Sequence, residues 1–142
     1  MKFWITVLLM LVAAEVQAAP IGPYSIWVEA PSHATPVYFS GVIGIDAHSE
    51  IVPGGLLAEV KQAFLNLDAN LKSAGLNKSH IIKTTVFLAN MADFAAMNEL
   101  YAAYFTDDVK PARSCVAVKD LPKGSLFEIE VLAYRPIFNS EL

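Results

Sequence analysis

Hydrophobic positions along the chain recur with two periods. Leu57, Val60, Phe64, Leu67 and Leu71 follow alternating spacings of three and four, which puts them on one stripe of a helix. Gly75 stands where that helix should stop, because a left-handed cap there favours a residue without Cβ. A second stripe, Phe94, Met97, Tyr101 and Tyr104, follows Asn90 as a candidate N-cap and Asp93, whose charge suits a helix first turn. Between the stripes, residues 81–88 (IIKTTVFL) are β-branched and aromatic, which predicts a strand. Residues 25–29 and 37–44, ahead of the first helix, also read as strands, with a turn-rich connection between them. After the second helix come two more runs, 112–118 and 126–134, joined by a short link containing Leu121-Pro122-Lys123-Gly124. Helices alternating with strands after an opening strand pair predict an α+β layer, with two helices packed on one face of a sheet.

The last two runs carry the chemistry. Strand side chains alternate between faces, so Arg113, Cys115 and Ala117 share one side and Ser114, Val116 and Val118 the other. Phe127, Ile129, Val131 and Ala133 form an apolar face, while Glu128 and Glu130 point the opposite way. A guanidinium and two carboxylates on otherwise apolar strands belong either on a solvated face or in a paired site. Two readings of Arg113 stand side by side. One is a structural ion pair with Glu128 or Glu130. The other is a clamp for a ligand carboxylate, which the planar guanidinium binds in a two-pronged fashion.

Composition narrows the class. The chain of 142 residues is one domain by length, 55% apolar and 17% charged. A net charge of −4 without any Lys/Arg cluster argues against a nucleic-acid surface. Cys115 is the only cysteine, so neither an internal disulfide nor an all-cysteine metal site is available. His33, His48 and His80 lie in separate loops without the spacing that gathers metal ligands, and no metal is expected. No glycine-rich phosphate loop occurs.

Residues 1–18 read as an export signal: Lys2 supplies a positive start, Phe3 to Ala14 an apolar run, and Val16-Gln17-Ala18 a cleavage site before Ala19. Glu15 interrupts the run short of the about 20 residues that span a bilayer. The expectation is a periplasmic or secreted domain of residues 19–142, free of the membrane once the signal is removed. The alternative is a cytosolic protein with an unusual N-terminus.

Pro111-Ala112-Arg113-Ser114, then Leu121-Pro122-Lys123-Gly124, then Glu128-Ile129-Glu130 together resemble the signature of the RidA (YjgF) family of reactive-intermediate deaminases. The resemblance runs from about Ile21 to Arg135. Phe127, Val42 and Gly44 depart from the residues usual in that family. It implies a chorismate-mutase-like fold, a homotrimer, and hydrolysis of small carboxylate-bearing imines or enamines to 2-oxo acids and ammonia without a cofactor. It further implies that Arg113 holds the substrate carboxylate and Glu128 positions or activates the water. By the same resemblance Tyr24 lies at the pocket edge, Asn98 near the site, and Ser40 and Gly41 in the lining. The backbone of Cys115, more than its sulfur, borders the water. Glu130 has no such counterpart and reads as structural. A reading of another class stays beside this one: a non-catalytic binder of a stable carboxylate metabolite, with the same fold. A ribonuclease role, attached to some relatives, fits poorly with the acidic balance and the absence of paired histidines.

Overall fold

A computed structural model of the chain describes residues 19–137, and the expected export signal lies outside the described residues. Six principal elements follow in order: β1 (Ala34–Ile43), α1 (Gly55–Ser73), β2 (Ile81–Leu88), α2 (Phe94–Tyr104), β3 (Ala112–Ala117) and β4 (Phe127–Pro136). The strands form one mixed sheet in the order β1-β4-β2-β3. β4 runs antiparallel to both β1 and β2, whereas β2 and β3 are parallel. Parallel strands need long crossovers. Each helix supplies one, α1 between β1 and β2 and α2 between β2 and β3.

The same register sorts the side chains. Phe127, Ile129, Val131 and Ala133 of β4 are buried, as are Val86 and Leu88 of β2. They meet Val60, Phe64, Leu67 and Leu71 of α1 and Met97 and Tyr101 of α2 in one core. Phe64 is a hub of that core: it stacks on Tyr104 at 4.1 Å and meets Phe127 edge-on at 5.9 Å. Both helices therefore cover the same sheet face. Truncating a fully buried Leu67 would cost about 2–5 kcal/mol. Thr84 is the buried polar residue of β2, and its hydroxyl pairs with Tyr101 Oη at 2.8 Å.

Element ends follow local chemistry. Gly75 takes φ +70°, Leu76 N–H donates to Leu71 O, and Gly75 N–H donates to Lys72 O, both at 2.9 Å. Asn90 Oδ1 accepts the N–H of Ala92 and starts the short turn of Met91–Asp93 that leads into α2.

Three expectations are corrected. Residues 25–29 are not a strand. Only Ser25 touches the sheet, in an isolated bridge to Ala112. A short apolar run cannot make a strand when its amides find no ladder to join. The sheet therefore opens with a single strand, β1, which already begins at Ala34 and tolerates Pro36 because it is an edge. Leu57, expected on the buried stripe, is half exposed, and the helix buries Glu59 two residues on.

Candidate active site

Arg113 lies opposite Thr84 on β2, and Thr84 lies opposite Val131 on β4. That register puts the guanidinium on the helix-covered side of the sheet, at the edge strand β3. There it enters a cage of aromatic rings. Its Cζ is 4.5 Å from the Tyr101 ring centroid, 5.0 Å from Tyr24 and 5.6 Å from Phe94. Nη1 contacts Met97 Sδ at 3.9 Å, and Nη2 is buried with no hydrogen-bond partner. Burial pulls the guanidinium below its usual pKa, against the opposing pull of Tyr101, Cys115 and Tyr24. It stays charged at neutral pH nonetheless.

Among the described residues no carboxylate is within ion-pair distance of Arg113. A desolvated cation with a free donor gains most from an anion brought to it. The adjacent cavity of about 100 Å³ is lined by Ile21, Tyr24, Phe94, Arg113 and Cys115, space for a few heavy atoms. Asn98 Oδ1 is a second buried polar atom without a partner. Gly22 brings these groups together, since a Cβ there would stand 2.8 Å from Arg113 Nη2, 3.3 Å from Tyr24 and 3.4 Å from Asn98 Nδ2. Burial pushes the Cys115 thiol up, with Arg113 opposing, so the sulfur is a poor nucleophile.

Glu128 lies on the opposite face. It pairs with Phe87 of β2 and Ile43 of β1, beside an irregularity in β1 between Phe39 and Val42. Ser40 and Gly41 sit in that irregularity. A Cβ on Gly41 would fall 1.8 Å from Glu128 Oε1, so the missing side chain is what lets the carboxylate lie over the strand. Burial first, and the charge of Glu130 second, raise the Glu128 carboxyl above its ordinary pKa. A groove of about 350 Å³ runs from Gly41 past Asp46 to Asn66 and Asn70.

The seven candidate residues thus divide into two groups. Tyr24, Asn98, Arg113 and Cys115 gather at the β3 edge, and Ser40, Gly41 and Glu128 gather beside β1. The sheet stands between them in one chain, which removes the ion-pair reading of Arg113 with Glu128 or Glu130. Reading residues in sequence missed Gly22, Ile21, Phe94, Met97 and Tyr101 as neighbours of Arg113. The last three share the stripe of α2 that also packs the core, so their period carried no separate signal. His33, His48 and His80 remain apart from both groups; His80 ends the Lys78–His80 turn as its position suggested.

Comparison with known proteins adds to this geometry. The sequence model of the family described as Endoribonuclease L-PSP matches residues 15–135. A mouse protein named 2-iminobutanoate/2-iminopropanoate deaminase is 45% identical over 121 residues, 84% of this chain and 87% of its own. The human protein of that name is 45% identical over 114 residues, 80% of each chain. Among solved structures, the Escherichia coli YjgF gene product superposes with a TM-score of 0.65 at 38% identity, over 82% of this chain and 91% of that one. RidA from an Antarctic Psychrobacter gives 0.67 at 36% identity, over 82% and 92%.

Proposed function

The chain belongs to the RidA (YjgF) family, and from that premise we propose that it hydrolyses 2-imino acids, or their enamine tautomers, to 2-oxo acids and ammonia. The observation that carries the proposal is the buried, unpartnered Nη2 of Arg113 beside a small cavity. The substrate carboxylate pairs with that guanidinium, which fixes the C=N carbon. Glu128 accepts a proton from a water that attacks this carbon. With the imine nitrogen protonated, the attack gives a neutral carbinolamine; its nitrogen takes the proton back from Glu128, ammonia leaves, and the hydroxyl proton passes to water, leaving the carbonyl. The imine carbon is already electrophilic, so orientation and a proton acceptor suffice.

One chain holds Arg113 and Glu128 on opposite sheet faces, and the proposal therefore includes a homotrimer in which Glu128 of a neighbouring copy completes each site. The uncovered face of the sheet, which carries Tyr38 at 78% exposure, supports such an assembly. The test is ammonia release from imines made in situ by an amino-acid oxidase. Arg113→Ala and Glu128→Gln proteins should each be inactive, and mixing their subunits should restore part of the activity. Sites built within one chain would give no restoration. Binding of pyruvate without turnover by the unmutated protein would favour the binding-module reading instead.

Export before Ala19 is proposed with this function. It is supported by the pattern of Lys2, the apolar run and Val16-Gln17-Ala18. N-terminal sequencing of the extracytoplasmic protein should begin at Ala19; Met1 retained in the cytosol would remove it.

A further inference from the structure

Glu59 of α1 is a carboxylate placed in the core, 4% exposed. Carboxylates are rarely buried so fully unless a hydrogen bond holds them. Glu59 Oε2 accepts the backbone N–H of Leu126 at 2.7 Å. The ladder between β2 and β4 begins only at Phe127, so this half-buried N–H would otherwise have no partner in the sheet. The carbonyl of Leu126 is held from the other side, by Ala89 N–H at 3.0 Å. The helix backbone at Glu59 also presses on the exit of β1. A Cβ on Gly44 would stand 2.4 Å from the Glu59 carbonyl oxygen, so only glycine lets the two chains pass.

The Glu59 side chain therefore holds one of the two segments that carry Glu128, and its backbone packs close to the other. Leu126 precedes Glu128 by two residues at the entry to β4, and Gly44 follows Ile43, the β1 residue opposite Glu128. We propose that Glu59 is a positioning residue for the reaction, fixing the joint of β1 and β4 and so the place of the Glu128 carboxylate over Gly41. The inference rests on the assignment of Glu128 as proton acceptor. It deepens that assignment by naming what holds the acceptor. A leucine at this position would fill the space but leave the Leu126 N–H unpaired, and β4 would enter the sheet loosely. Arg113 takes its contacts from Tyr24, Phe94, Met97 and Tyr101. None of these is a partner of Glu59, so carboxylate binding is left alone.

The experiment compares Glu59→Leu, Glu59→Gln, Glu59→Asp and Glu128→Gln in the intact oligomer, by ammonia release and by calorimetric binding of pyruvate. Glu59→Leu should lower kcat on the order of tenfold to a hundredfold, the scale of a small misplacement of a catalytic group. KM and pyruvate affinity should stay within about twofold. Glu59→Gln keeps an accepting oxygen and should recover most of kcat. Glu59→Asp draws the oxygen back by one methylene and should lie between, which keeps the test open if the leucine variant does not fold. Unchanged kcat in the Leu or Asp protein, or a loss matched by equally weakened pyruvate binding, overturns the inference. Full activity of Glu128→Gln would instead overturn the function it rests on.

Discussion

Lysine at position 113 would keep the charge but lose the planar fork and its fit among three rings. Losing one charge-assisted hydrogen bond is worth about 1.5–3 kcal/mol. Arg113→Lys should therefore reduce kcat/KM by roughly ten- to a hundredfold at a nearly unchanged melting temperature, measured on the same preparation. Glu128 yields a pH test. A proton acceptor must be ionised, and burial together with Glu130 raises this carboxyl, so the acid limb of kcat should lie above the ordinary glutamate range. Glu130→Gln removes the repulsion, lowers the Glu128 pKa and should move that limb to lower pH. A limb that stays in place would show that another group titrates. For stability the sign is opposite: a carboxyl raised on folding favours the folded state when protonated. Its contribution is full below the unfolded pKa and is lost as pH rises through the folded one.

The irregular stretch of β1 is the element on which the place of the Glu128 carboxylate depends. Phe39 and Val42 both keep register with β4, and the two residues between them make room for the Glu128 side chain. Gly41→Ala would drive a methyl into Glu128 Oε1 and Cδ, at 1.8 and 2.7 Å. The colliding atoms belong to a side chain, so the carboxylate should swing away while the backbone stays. The expected outcome is a fall in kcat comparable to that of Glu128→Gln, with a melting temperature lowered by at most a few degrees, about 1 kcal/mol for a domain of this size. A Gly41→Ala protein with full turnover would separate Glu128 from the chemistry. Helix α2 has a different duty. Its stripe packs the core with Met97 and Tyr101 and, with the same residues, walls the guanidinium.

For the whole molecule, the uncovered sheet face is the surface on which the proposed assembly rests. Tyr38 is 78% and Val116 44% exposed there, and Lys83 Nζ reaches Ser114 Oγ at 2.7 Å on the same face. A face of that kind stays unfinished until another surface covers it. Light scattering of the protein should give about three times the chain mass. Val116→Asp would place a charge in that contact and should lower mass and turnover together. A fully active monomer at micromolar concentration would refute both the assembly and the shared site.

The periods of apolar residues determined the two helices, the four principal strands and the mixed α+β class, because local burial patterns are written directly in spacing. Residues 25–29 show the limit: the apolar run Ile26-Trp27-Val28 reads as a strand, but pairing partners are a property of the sheet, and only Ser25 found one. The signature around Pro111, Leu121 and Glu128 was legible as a resemblance, and it named Arg113 and Glu128. Alternation also placed each on a face of its own strand. What it could not state was that β2 lies between β3 and β4, so that the two faces are opposite sides of one sheet. Strand order is set by long-range pairing and helix crossovers, which leave no trace in residue spacing. For the same reason the ring cage of Arg113 and the bond from Glu59 to Leu126, 67 residues away, were decided by the tertiary structure alone.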